Sequence, residues 1–292
     1  MDNLHVSQGD SHFTCREKIY PDGSAEILVC DRPIFSEGGW ESEKNTAVSR
    51  RNRDRSLVSA ADLERSARRA ASKVRDLALC NSFQVFVTLT LDQTQIDRYD
   101  RAEVTKRVTT WCDNHVRRDG LRYVLVPELH QDGALHFHGF FGWDDPAMKE
   151  RWCRDSGTIS VPGRKQPVRV RSDRHRASLL AQGGQIVYNL PKWKLGFTTA
   201  IDLYGDYHQA VTYVCKYIRK QTTGPAAGRI CGRWYYHGGC TGAPRIQYSN
   251  QAIRDFEDYP GAYRFNVPEA RCSFVRILMK SNKLDCEKEV SL

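Results

Sequence analysis

Two apolar runs on either side of a short turn signal constrain the fold of this chain more than any other feature. The runs are LRYVLVPEL, which begins at Leu121, and ALHFHGFF, which ends at Phe141, and they flank the tetrapeptide HQDG. Strand-like runs joined by a short glycine-containing segment are typical of a β-hairpin. Residues two apart on a strand point the same way, so His136 and His138 share one face. The sequence therefore predicts a hairpin with two neighbouring imidazoles, an arrangement that suits a divalent cation.

The length of the turn decides whether a third ligand joins the histidines. A three-residue turn over residues 131–133, with Gly133 in the left-handed conformation, places Glu128 opposite His136. A two-residue turn over residues 132–133 places Glu128 opposite Phe137 instead and sends its carboxylate into the core. The first register is favoured because a lone buried carboxylate is costly and because four apolar residues then gather on the opposite face. Those residues are Leu125, Leu129, Leu135 and Phe137.

Glu128, His136 and His138, here called the metal triad, are the predicted metal ligands. Two imidazoles and one carboxylate with open coordination positions suit Mn²⁺ or Mg²⁺, and the imidazoles favour Mn²⁺ or a later transition metal. His130 is an alternative third ligand. Two polar residues on the solvent-facing side of an edge hairpin would give the same H-x-H pattern without binding a metal.

A second chemical motif lies on a predicted helix with the sequence YHQAVTYVCKYIRK. Tyr213 and Tyr217, here called the tyrosine pair, are four residues apart and lie on one helical face, and Lys216 and Lys220 have the same spacing. A phenol with a pKa near 10 is a poor nucleophile at neutral pH. A metal ion on the target phosphate and a nearby ammonium group compensate for this weakness. An amphipathic helix with half-buried tyrosines would show the same spacing without any reaction.

The remaining pattern predicts an α+β domain. Helices are predicted from Ser59, which can cap the first turn, to Ala78, and from Arg101 to Arg117. Strands are predicted in FQVFVTLTLD and in IVYNLPKWKLGFTTAIDL, which holds one or two of them. Residues 143–185 are polar and basic and predict a short helix and a mobile loop. Strand, helix, hairpin, strand and helix in this order predict a central antiparallel sheet with helices packed on it.

The two ends of the chain are predicted to lie outside this domain, which covers residues 57–242. Residues 1–56 hold two short strands, around 13–19 and 25–30, and then a polar, arginine-rich arm. Residues 243–292 form an extension without a clear pattern. Basic residues of the arm and of the polar insert are candidate phosphate contacts, with a solvated surface as the alternative. The arm arginines are Arg50, Arg51, Arg53 and Arg55, and the insert cations are Arg164, Lys165, Arg169 and Arg171.

Bulk composition limits the classes of function. A formal net charge of +9 favours a polyanionic partner. No apolar run reaches the roughly 18 residues of a membrane span, so no membrane partner is expected. Ten scattered cysteines without a secretory leader predict reduced thiols in a cytoplasmic protein. No G-x-x-x-x-G-K-[ST] run occurs, so no nucleotide cofactor is expected and strand separation would need a partner.

Three stretches in a fixed order resemble the motifs of one protein family. FVTLT at residues 86–90, HFH at 136–138 and YVCKYIRK at 213–220 look like motifs one, two and three of the HUH endonucleases that initiate rolling-circle replication. The chain resembles most the two-tyrosine initiators of single-stranded DNA phages and related plasmids, over roughly residues 80–221. The alternatives are an HUH transposase, a relaxase, and a noncatalytic nucleic-acid-binding protein with a ferredoxin-like sheet.

The resemblance implies a fold, a site and a reaction. The fold is a central antiparallel sheet of the ferredoxin-like or RNA-recognition type, with the metal triad on the hairpin and the tyrosine helix beside it. The tyrosine pair would supply the nucleophiles and Lys216 and Lys220 the accompanying cations, while Thr88 and Thr90 would lie near the site with a structural or DNA-contacting role. The protein would nick single-stranded or hairpin origin DNA through a 5′-phosphotyrosine and release a 3′-hydroxyl primer. A host helicase and a DNA polymerase would be its partners in the cytoplasm of a bacterial cell.

Overall fold

The computed structural model describes residues 12–33, 59–203, 207–223, 228–256, 258–267 and 272–279. The chain divides into two compact units, one formed by Val58–Gly242 and the other by Met1–Leu57 together with Ala243–Leu292. The larger unit contains the metal triad and the tyrosine pair. The arm arginines lie outside the described residues.

The elements follow one another along the chain as alternating strands and helices. The strands are β1 (Cys15–Ile19), β2 (Ala25–Cys30), β3 (Val85–Leu91), β4 (Leu121–Leu129), β5 (Leu135–Trp143), β6 (Arg154–Ser160), β7 (Val168–Arg169), β8 (Gln185–Asn189), β9 (Gly196–Asp202), β10 (Tyr236–Gly238), β11 (Arg245–Ser249), β12 (Tyr263–Val267) and β13 (Cys272–Met279). The helices are α1 (Ala60–Cys80), α2 (Arg101–Asp119), α3 (Ala147–Trp152), α4 (Asp173–Ala181) and α5 (Tyr207–Lys220). Among the described residues, no helix has both the length and the apolar character needed to cross a membrane.

An eight-stranded sheet forms the centre of the larger unit. Its strand order is β10-β4-β5-β3-β9-β8-β6-β7, and its pairings are antiparallel. Helix α2 packs on one face, where Val104, Val108 and Cys112 enter the main core. Helices α1 and α5 pack against each other and against β4. The prediction of an α+β fold with a central antiparallel sheet and packed helices is confirmed.

Local sequence explains where the long helices and the central strand form. The Ser59 hydroxyl accepts a hydrogen bond from the backbone N–H of Asp62 at 3.1 Å, which caps α1 as predicted. Helix α2 ends at Gly120, whose φ of 63° lies in the left-handed region that glycine adopts easily. In β3, alternate residues from Val85 to Leu91 are buried in the core under α2. The residues between them face the other side of the sheet.

The β4–β5 hairpin has the predicted three-residue turn. Gly133 adopts a φ of 85°, and the N–H of His130 donates to the carbonyl of Ala134 at 2.8 Å. The Cα pairing then places Glu128 opposite His136. The local chemistry of the turn therefore brings a carboxylate to the histidine face.

The polar insert differs from its prediction. The expected mobile loop over residues 143–185 is wrong, because the chain after α3 forms β6 and β7 and then α4. Strand β6, RDSGTIS, shifts its register on β8 between Asp155 and Thr158, so it lacks a regular apolar alternation. Ile159, Val161 and Leu179 form a small core of their own between β6 and α4. Tertiary packing rather than a local pattern holds this segment in place.

The smaller unit contains a five-stranded sheet in the order β11-β1-β2-β13-β12. The two predicted N-terminal strands are confirmed as β1 and β2. The segment beyond residue 243, for which the sequence predicted no elements, supplies the other three strands. Strand β13 pairs with β2, so that Phe274 lies opposite Cys30. These partners come from opposite ends of the chain, and no local hairpin signal marks such a pairing.

Candidate active site

The metal triad forms at one end of the β4–β5 hairpin. Oε2 of Glu128 lies 3.0 Å from Nε2 of His136 and 2.9 Å from Nε2 of His138. The three available ligand atoms all lie within 4.8 Å of one another. Two imidazole nitrogens and a carboxylate oxygen this close together can hold a divalent metal ion.

The charges of the triad match what a metal ligand requires. Burial opposes ionisation of Glu128, but hydrogen bonds with His136, His138 and Lys220 outweigh it and hold the pKa of that carboxyl well below its usual range. Burial lowers the pKa of His138, although the hydrogen bond with Glu128 opposes the shift. The site thus favours a carboxylate beside a neutral imidazole, and both groups have lone pairs for a cation.

Strand β3 orients one of the triad histidines. Nδ1 of His138 lies 3.0 Å from Oγ1 of Thr88. With the proton assigned to Nδ1, this nitrogen donates to the threonine hydroxyl and Nε2 keeps its lone pair for an ion. Cross-strand pairing sets Thr88 opposite His138 and Thr90 opposite His136. Both threonines named from the sequence therefore lie on the sheet face of the triad.

His130 takes a different position from Glu128. It is exposed, and its ring centroid lies 4.9 Å from that of His136. The cluster of potential ligand atoms in the described part of the chain consists of the triad without His130. The geometry favours Glu128 as the third ligand because its carboxylate contacts both triad histidines.

The tyrosine helix α5 lies directly against the triad. The ring of Tyr217 stacks on the ring of His138, with centroids 4.1 Å apart and planes 8° from parallel. Tyr217 is only 5% exposed, whereas Tyr213 is 48% exposed. The Tyr217 hydroxyl donates to the Tyr213 hydroxyl at 2.6 Å. The two phenols share a hydrogen bond, but only that of Tyr213 is open to a large substrate.

The surroundings of the two phenols also differ. Burial raises the pKa of Tyr217, and the hydrogen bond with Tyr213 raises it further. The ring of Tyr213 packs edge-on against Phe86, with centroids 5.8 Å apart. Phe86 also stacks beside His138 at 6.2 Å. The first residue of the FVTLT stretch thus connects a tyrosine to a triad histidine.

Lys220 connects the tyrosine helix to the metal triad. Its Nζ donates to Oε1 of Glu128 at 2.8 Å and lies 4.7 Å from the centre of the Tyr217 ring. The lysine side chain is 62% exposed, so this ion pair contributes little to stability, but it places a cation beside the triad. Lys216 is also exposed. It precedes Tyr217 by one residue and therefore points about 100° away around the helix.

Gln221 is a site residue that no sequence motif marked. It follows α5 directly and is buried, and its side-chain amide donates to the carbonyl of Pro127 at 3.1 Å. Pro127 precedes Glu128, so this bond ties the end of the tyrosine helix to the strand that carries the carboxylate. A polar residue after a helix end has no distinctive pattern, and only the fold reveals its role.

The insert cations are exposed and lie away from the triad. Arg169 is on β7, the edge strand of the sheet and five strands from β5. With about 4.8 Å between neighbouring strands, this separation is roughly 24 Å. The structure therefore does not bring the insert cations together with the metal triad.

A comparison with protein families supports a role in replication. Residues 84–222 match the model of a family described as Replication-associated protein ORF2, a family of rolling-circle replication initiators. The matched range contains the three motif stretches, the metal triad and the tyrosine pair. No curated protein and no solved structure matches the chain. The family match supports a Rep-type protein.

Proposed function

We propose that this chain is a Rep endonuclease of the two-tyrosine HUH type, which nicks one strand of origin DNA and rejoins its ends during rolling-circle replication. The proposal depends on the contact between the two halves of the site. The Tyr217 ring lies on His138, and the Lys220 ammonium lies on Glu128. A nucleophile pair, a metal-binding triad and a cation meet in one cluster. The family match over residues 84–222 supports the same function.

The proposed reaction is a transesterification at phosphorus. The phenol oxygen of a tyrosine attacks the scissile phosphate, so that a bond from that oxygen to phosphorus forms and the bond from phosphorus to the 3′ oxygen breaks. The phenol loses its proton to solvent, and the leaving 3′ oxygen takes one up. The products are a 5′-phosphotyrosine and a free 3′ hydroxyl that primes synthesis. One ester replaces another, so rejoining needs no ATP.

The chain's own residues hold and orient the reacting groups. The metal triad would bind Mn²⁺ or Mg²⁺, because its donor set and the closeness of its ligand atoms fit such an ion. A bound divalent ion would supply neutralisation of the charge on a nonbridging phosphate oxygen. Thr88 keeps His138 oriented through the bond to Nδ1. Lys220, beside Glu128, is placed to donate to a phosphate or leaving oxygen.

We assign the first cut to Tyr213. It is the exposed member of the tyrosine pair, and its oxygen accepts a hydrogen bond from Tyr217. A hydrogen bond accepted by that oxygen stabilises the negative charge of a phenolate. Tyr217 stays protonated because burial raises its pKa. It would make the second cut, once Tyr213 is esterified and their shared hydrogen bond is broken.

Formation of a covalent adduct tests the chemistry. A labelled pool of random-sequence single-stranded oligonucleotides is incubated with the protein in Mn²⁺ or in chelator, and we expect a denaturation-resistant adduct only in Mn²⁺. Tyr213→Phe should abolish the first adduct, and His136→Ala should remove the dependence on Mn²⁺ together with most of the yield. Tyr99→Phe is the matched control, since Tyr99 is 47% exposed and lies outside the site.

Two outcomes would contradict the proposal at different levels. An adduct that persists both in His136→Ala and in the double variant Tyr213→Phe, Tyr217→Phe would show that another part of the chain reacts. An adduct whose DNA is found on Tyr217 rather than Tyr213, by mass spectrometry of the linked peptide, would reverse the order of the cuts and leave the chemistry in place.

A further inference from the structure

The sheet face that carries the metal triad continues beyond it onto β9. On β3, Thr90 lies between His136 and Phe197, and Thr88 lies between the other triad histidine and Thr199. Cross-strand partners share a face, so Phe197 and Thr199 are on the face of the triad. Neighbouring strands are about 4.8 Å apart, which puts the backbone of Phe197 roughly 10 Å from that of His136.

The same face extends further, over β8 and β6. The β8–β9 ladder pairs Tyr188 with Ala200, so the next residue of β8, Asn189, lies opposite Thr199. Asn189 in turn pairs with Arg154 at the start of β6. The exposed residues of this row lead away from the triad and are here called the sheet strip. They are Phe197, Thr199, Asn189 and Arg154.

Phe197 does not belong to a core. It is 68% exposed, whereas Ala200 of the same strand is buried in the main core on the other face. Gly196 has a φ of 151°, and a Cβ there would clash with the carbonyl oxygen of Thr90, so glycine lets β9 begin close to β3. A single exposed apolar residue needs no function by itself. The position of Phe197 in line with the triad, beside polar and basic residues, is what points to a ligand.

We infer that the sheet strip binds the single-stranded DNA next to the scissile phosphate and that Phe197 stacks on one of its bases. The inference rests on the proposed function, because it takes the triad as the position of that phosphate. Phe197 offers an aromatic face to a base. Thr199 and Asn189 offer hydrogen-bonding groups to base edges or sugars, and Arg154 offers a cation to a phosphate.

The chemistry of the strip selects single strands. In a duplex the bases are stacked on one another, and their faces are closed to a protein side chain. Stacking accepts any base because every base has a π-face, so the strip positions DNA without reading its sequence. It contains one cation, and phosphate contacts are the salt-dependent part of DNA binding. The contribution of Phe197 to affinity should therefore depend little on salt.

Binding of a fluorescein-labelled oligothymidylate, followed by fluorescence anisotropy, tests the strip without any cleavage. Both members of the tyrosine pair are replaced by phenylalanine, so that no covalent adduct forms. In this background Phe197→Ala is expected to weaken binding about 5- to 100-fold, the range for loss of one base–aromatic stack. Phe197→Trp keeps an aromatic face and should bind within about twofold of its parent. Phe197→Leu, which is apolar but has no ring, should lose as much as the alanine variant.

Two further variants separate stacking from general effects. Leu180→Ala removes an exposed apolar side chain from α4, where Leu180 is 39% exposed, and should leave binding unchanged. Arg154→Ala should lower the slope of log affinity against log salt by about 0.7, the value for one phosphate contact on single strands. Phe197→Ala should leave that slope unchanged. Quenching of 2-aminopurine placed in the oligonucleotide reports stacking directly, and Phe197→Ala should remove it.

Binding by Phe197→Ala equal to that of its parent, in a variant with an unchanged thermal midpoint, would overturn the inference. An equal loss of affinity for double-stranded DNA would also overturn it, because a duplex has no free base for Phe197. Failure of the proposed function looks different. In that case the unchanged chain would bind oligothymidylate but form no Mn²⁺-dependent adduct with the random pool.

Discussion

Replacing Thr88 by valine tests whether β3 positions the metal triad. The Thr88 hydroxyl lies 3.0 Å from Nδ1 of His138, and His138 is buried. Valine keeps the β-branched shape that suits a strand, but it removes the hydroxyl. Nδ1 then loses its partner, and the proton of the imidazole can move to Nε2, which removes the lone pair that faces the triad.

The size of the effect follows from this one hydrogen bond. Loss of an outer hydrogen bond to a metal-binding histidine costs about 10- to 100-fold in metal affinity, or about 1.4–2.8 kcal/mol. A buried polar atom left without a partner costs about 1–3 kcal/mol, which agrees with that range. Folding stability should fall by a similar amount, which a domain with several kcal/mol of stability tolerates.

Calorimetric titration with Mn²⁺ measures the change, with His136→Ala as the background for binding outside the triad. Thr90→Val is the matched control, since Thr90 is on the same strand and its Cα partner is His136, whereas the threonine hydroxyl bonded to a triad histidine is that of Thr88. Thr88→Ser keeps a hydroxyl and should retain most of the affinity. Binding as tight in Thr88→Val as in the unchanged chain, or an equal loss in Thr90→Val, would refute the positioning role.

Three further predictions concern the fold and the outer DNA contacts. Gly139→Ala should lower the melting temperature, because a Cβ there would meet the carbonyl oxygen of Val124 and overpacking costs about 1–3 kcal/mol; an unchanged midpoint would contradict the close approach of β4 and β5. Replacing all four insert cations by alanine should reduce the salt dependence of single-stranded DNA binding by about 0.7 in log–log slope for each phosphate that they neutralise; an unchanged slope would mean that DNA does not reach this edge of the sheet. Burial opposes ionisation of Asp119, but hydrogen bonds from Lys192 and His115 outweigh it and lower its pKa, so its carboxylate stabilises the fold at neutral pH and that effect is lost as the pH falls through the lowered pKa. Melting curves should therefore show Asp119→Asn to be destabilised at about pH 7 and nearly equal to the unchanged chain at about pH 3.

Local pattern was enough to predict the hairpin and its register. The turn at residues 131–133 requires a glycine with positive φ, and period-two alternation fixes which side chains share a face. These two local rules alone place Glu128 opposite His136, as the strand pairing confirms. The same holds for the ends of α1 and α2, because caps and left-handed glycines act within one turn of the helix. The polar insert and the last three strands lacked such local signals, since their partners lie far along the chain.

The sequence by itself determined the chemical groups, their spacing within each element and the faces that they share, because backbone geometry within a strand or helix is periodic. Only the tertiary structure decided how the elements meet. It placed Tyr217 on His138 and Lys220 on Glu128, left Tyr213 exposed, and aligned Phe197 with the triad through β3. These contacts join residues on different strands and helices, and the packing of whole elements around a common core, rather than any local spacing, sets the distances between them.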